Sequence, residues 1–163
     1  MGKLNGLRII EVPSFKAVSS GSIPFEKIDC DGGWSNWINT NSHLLRDCLF
    51  LGNPEFFWHE QEGHITFVLA IKDNVTAVDC APYFFLEFKG GMYAVATADE
   101  NDEKDTLEVT NEMSDWIKSS ELFELDGMDG PRYGMEHMVG VGLTDVLGWA
   151  QQEIFFPIKY KIK

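Results

Sequence analysis

The chain has 163 residues, with 13 basic side chains against 26 acidic ones and a net charge of −13. An apolar content of 44% is far too high for a disordered chain, and the length suits one domain with a real core. The negative charge repels phosphate and argues against direct nucleic-acid binding, and three cysteines (Cys30, Cys48, Cys80) without C-x-x-C spacing argue against a disulfide framework or a zinc site.

In chain order, residues 7–23 combine β-branched and aromatic side chains around Pro13. They read as a strand with an irregular or edge position at the proline. Trp34, Trp37, Ile38, Asn41, Leu45 and Cys48 recur at spacings of three and four, which predicts one face of a helix stopped at Gly52. Residues 64–71 are a nearly continuous apolar run and read as a buried strand. The segments YFFLEF and MYAVATA flank Gly90-Gly91 and read as two strands around a tight turn. The acidic DENDEKD is a solvated loop. Beyond it, Val109, Met113, Trp116 and Ile117 form the stripe of a second helix, with Asp105 and Glu108 at capping-box spacing. A Gly- and Asp-rich loop leads to a strand in YGMEHMVGV, a loop or short turn in GLTDVLG, and a last strand in EIFFPIK.

This order is β-α-β-β twice, in pseudo-repeats of about 7–89 and 91–160 within a single domain. Strands that come in adjacent pairs predict an antiparallel α+β sheet with two helices on one side.

Three segments, IIEVPSFKAVSSG, GGMYAVAT and EIFFPIK, carry a resemblance. In order and separation they resemble the gyrase-inhibitor-like domain, which is also the effector-binding domain of AraC/Rob-type and MerR-type multidrug regulators. The resemblance covers almost the whole chain, which leaves no room for a helix-turn-helix and implies a stand-alone member. It implies a duplicated βαββ fold with a central ligand cleft and lipophilic, cationic aromatic ligands. It also implies two binding carboxylates, Glu136 in YGMEHMV and Glu153 in QQEIFFPIK. Where the family pattern often has Tyr two residues after the first glutamate, this chain has Met138.

Strand alternation puts Glu153 and Phe155 on one face, and Glu136 and Met138 on one face. Carboxylates among aromatic rings favour a flat cation, which relieves the cost of burying the charge and stacks on the rings. Trp37, Trp116, Tyr93 and Tyr83 are candidate walls of such a pocket and equally candidate core residues. No catalytic residue, cofactor or metal is expected. His59 and His64 are five residues apart and do not share a helix face. The expected partners are small lipophilic cations, with no nucleic acid and no membrane, and exposed strand edges permit a homodimer. The absence of an apolar leader and of paired cysteines points to the cytoplasm. Two alternatives stand beside binding. One is a hydrolase of strained electrophilic natural products using Glu136 and Glu153 as base and acid. The other is a protein inhibitor of gyrase acting through its acidic surface.

Overall fold

The structure, a computed structural model, describes residues 5–47, 55–127, 134–138 and 144–162. The strands are β1 (Asn5–Val12), β2 (Phe15–Ser19), β3 (Ile23–Pro24), β4 (Glu55–His59), β5 (His64–Ala70), β6 (Phe84–Phe88), β7 (Gly91–Asp99), β8 (Phe123–Leu125), β9 (Met135–Met138) and β10 (Gln151–Tyr160). The helices are α1 (Trp34–Thr40), α2 (Glu103–Ser119) and the single turn α3 (Thr144–Leu147). The fold is α+β, and the strand pairings within each unit are antiparallel.

The chain forms two compact units, one of residues 15–88 and one of residues 5–14 with 89–162. In the first the strand order is β4-β5-β2-β6, with β3 on β5. In the second it is β1-β7-β10-β9, with β8 on β10. Each unit therefore runs strand, helix, strand, strand: β2-α1-β4-β5 in the first and β7-α2-β9-β10 in the second. Each sheet gains one further strand beside the opening one, β6 beside β2 and β1 beside β7.

The duplicated pattern matches the expectation, but its members differ. The predicted strand over 7–23 is broken at Pro13 and Ser14, and β1 pairs with β7 rather than staying with β2. The strand that completes the first repeat is β4, where no strand was expected. The first helix is also shorter than its apolar spacing suggests. It ends at Thr40, a 3-10 turn covers Ser42–Leu44, and Leu45 forms a bridge to Ile71. Cys48 and Gly52 lie outside the described residues.

Packing explains both units. In the second, Ala94, Ala96 and Ala98 line the β7 face under α2. Their small side chains let Val109, Met113 and Ile117 reach Ile154, Phe156 and Ile158. The cap of α2 is Asp102, not Asp105: its Oδ1 accepts from the backbone N–H groups of Lys104 (3.0 Å) and Asp105 (3.3 Å). In the first unit, Trp34 and Trp37 stack on each other at 5.9 Å, and Trp34 meets Tyr83 edge-on at 4.8 Å. They fill the core with Val18, Leu69 and Ile71. At the turn into β7 the chain comes so close to β1 that a Cβ on Gly90 would stand 2.0 Å from the Val12 carbonyl oxygen. The N–H of Gly90 donates to Ser14 Oγ at 3.0 Å across the same approach. Among the described residues, no helix is long and apolar enough to cross a membrane.

Candidate functional site

The register of β10 decides which face each candidate occupies. Ile154, Phe156 and Ile158 belong to the core under α2, so Glu153, Phe155 and Pro157 point to the opposite face. On that face Glu153 lies opposite Thr97 of β7 and His137 of β9, while Phe155 lies opposite Val95 and Met135. Tyr93 is on the same face. Its ring meets Phe155 edge-on, with centroids 6.0 Å apart, and both rings are buried. Glu153 sits toward the margin, its side chain 16% exposed, and is ion-paired with Arg8 of β1.

Glu136 does not join this group. Directly opposed residues of an antiparallel pair point the same way, and Glu136 is opposed to Ile154. It therefore lies on the α2 side of the sheet, with Met138 opposed to Gln152. The amide of Gln152 donates to Glu136 Oε2 at 2.5 Å and its oxygen accepts from Thr106 Oγ1 at 3.4 Å, so a short polar chain runs from α2 to the carboxylate. Burial pushes the Glu136 carboxyl up to about 7, and the negative charge of Glu100 adds to the rise. The two expected carboxylates thus face opposite sides of one sheet.

The remaining candidates divide the same way. Trp116 is half-buried against the core under α2 and stacks on Phe123 at 6.2 Å. Trp37 and Tyr83 belong to the core of the first unit, where their rings meet edge-on at 5.6 Å and Trp37 Nε1 donates to the Ala81 carbonyl at 3.1 Å.

One carboxylate was missed. Glu55 opens β4 opposite Leu69, on the α1 side of its sheet, as Glu136 stands opposite Ile154 on the α2 side of the other. Burial pushes its carboxyl up to about 7, and the buried indole N–H of Trp34 pulls the other way without closing a full hydrogen bond. Each unit therefore holds a glutamate on the helix-facing side of its sheet whose carboxyl burial pushes up to about 7. The signal lay in EFFWHEQEGHITF, where Glu55 precedes three aromatics much as Glu153 precedes Ile154, Phe155 and Phe156, and Gly63, at φ +73°, marks the turn into β5. Among the described residues, no cluster of three or more His, Cys, Asp or Glu is placed to hold a metal ion.

No protein-family model and no curated protein matches the sequence. Solved structures do resemble it. A hydrolase from Listeria innocua superposes with a TM-score of 0.66 at 11% identity, over 98% of this chain and 94% of that one. A conserved protein from the same organism gives 0.66 at 12%, over 97% and 94%. The C-terminal domain of EcmrR gives 0.61 at 13%, over 96% and 99%. The chain shares its fold with these structures over nearly the whole of each.

Proposed function

We propose that the chain binds lipophilic, cationic aromatic small molecules on the face of the second unit that carries Glu153, Phe155 and Tyr93. The observation that carries this reading is the geometry of that face: a carboxylate at its margin and two rings in mutual edge-on contact behind it. Glu153 supplies the charge, and the two rings, buried behind it, form the apolar floor of that face. Recognition by area and charge rather than by directional hydrogen bonds lets one site accept several ligands. Glu136, Met138 and Trp116 lie on the α2 side of the sheet, away from this face, and Trp37 and Tyr83 belong to the core of the first unit. The test is tryptophan quenching by rhodamine 6G. Glu153→Gln weakens the titration on this reading, and unchanged affinity in that variant overturns the carboxylate mechanism.

A second reading has its own observation. A carboxyl pushed up to about 7, as Glu136 and Glu55 are, is poised to accept and return a proton at neutral pH. Hydrolysis of a strained electrophile would use that property, and one structure sharing the fold is a hydrolase. Product formed at many turnovers per protein, abolished in Glu136→Gln or Glu55→Gln, would favour this reading over binding.

A further inference from the structure

We propose that Arg8 is a tethered counter-ion of Glu153 which a cationic ligand has to displace, making Arg8 a determinant of ligand charge. This rests on the reading of Glu153 as the ligand carboxylate. The placement of Arg8 follows from an irregularity in β1. Asn5 is paired with Thr97, and in that ladder position 8 would stand opposite Ala94, whose side chain faces α2. One extra residue between Asn5 and Arg8 shifts the register, so Arg8 is opposite Val95 and shares the face of Thr97 and Glu153. Gly6, at φ +64°, makes the bulge possible.

The bulge also holds the guanidinium. Arg8 Nη1 donates to the carbonyl of Gly6 at 3.1 Å, and Nη2 donates to Glu153 Oε1. A Cβ on Gly6 would stand 3.5 Å from Thr97 Oγ1 and 3.7 Å from Arg8 Nη1, so the glycine backbone lies beside both. The two partners differ in exposure: the side chain of Arg8 is 40% exposed and that of Glu153 only 16%. The cation can therefore return to water at small cost, while the carboxylate stays behind and needs a replacement charge. A ligand cation supplies that replacement. A neutral ligand does not, and leaves the pair closed.

The test compares two dyes by fluorescence anisotropy with the full chain: the cation rhodamine 6G and the neutral Nile red. In Arg8→Gln the affinity for rhodamine rises about two- to fivefold, the range of a partly exposed ion pair removed from competition. Nile red affinity is unchanged. Arg8→Lys keeps the charge and shows no gain, which separates competition from a loosened strand, and Arg8→Gln combined with Glu153→Gln loses the gain. If Arg8→Gln binds rhodamine no tighter than the wild type while Glu153→Gln binds it more weakly, the counter-ion role is wrong and the carboxylate reading stands. If Glu153→Gln changes nothing in either background, both fall.

Discussion

Glu153, Glu136 and Glu55 meet two treatments. Glu153 is held by Arg8, while Glu136 and Glu55 are pushed up from the ordinary 4.5 to about 7, chiefly by burial. A carboxyl whose pKa rises on folding binds its proton more tightly in the native state. Its contribution favours the native state at pH below the unfolded value near 4.5 and is lost as pH rises through about 7. Stability should therefore fall between about pH 5 and 8, by on the order of 1–3 kcal/mol for each group. Glu136→Gln stays neutral and should match the wild type at pH 5 but exceed it by a similar amount at pH 8. Urea unfolding at the two pH values checks this. A wild-type stability that is flat across the window would show that both carboxylates are solvated, and a variant without advantage at pH 8 would show it for Glu136. The sequence could not reveal this division. Alternation along β9 and β10 correctly pairs Glu153 with Phe155 and Glu136 with Met138, but it says nothing about how the two strands align. The cross-strand register, which opposes Glu136 to Ile154 and Glu153 to His137, sends the pairs to opposite faces.

Among the elements, legibility followed the strength of the local pattern. The long helix α2 and strands β5, β7 and β10 stood close to their expected bounds, because each carries a sustained run of one period. The first helix did not, since Leu45 can be buried as a strand-like bridge to Ile71 as easily as on a third helical turn, and spacing alone cannot tell the two apart. Strand β4 escaped notice because His59, Glu60, Gln61 and Glu62 give its end the composition of a loop. The cap of α2 was misplaced by three residues: the acidic run offers several aspartates, and only backbone geometry selects Asp102. That choice is testable. Asp102→Ala frees two backbone donors at the start of a 17-residue helix and should cost about 1 kcal/mol. Thermal or urea unfolding reads the loss, and no change would place the cap elsewhere. Met113→Ala is the core comparison. Met113 is fully buried between α2 and the alanines of β7, and its truncation should cost about 2–5 kcal/mol.

At the scale of the whole molecule, the excess of 26 acidic over 13 basic side chains sets a field that acts on folding and on ligands in opposite senses. Like charges repel within the compact state, so screening them favours folding. The same charges draw a cation toward the protein, so screening them slows its arrival. The Debye length shrinks from about 30 Å at 0.01 M to about 8 Å at 0.15 M, enough to remove most of the long-range part of both effects. Raising NaCl across that range should therefore raise the melting temperature while lowering the association rate of rhodamine 6G. Stopped-flow mixing gives the rate, and a thermal melt in the same buffers gives the stability. Nile red provides the control, because a neutral dye meets no field and its rate should not move. The Arg8–Glu153 pair makes the comparison sharper still. Salt weakens that pair as well as the field. The wild type should then lose less cation affinity with salt than Arg8→Gln does, since in the wild type screening also weakens the internal competitor. A steeper salt dependence in the wild type than in the variant would mean that the field acts on the ligand alone and that Arg8 does not compete for the carboxylate.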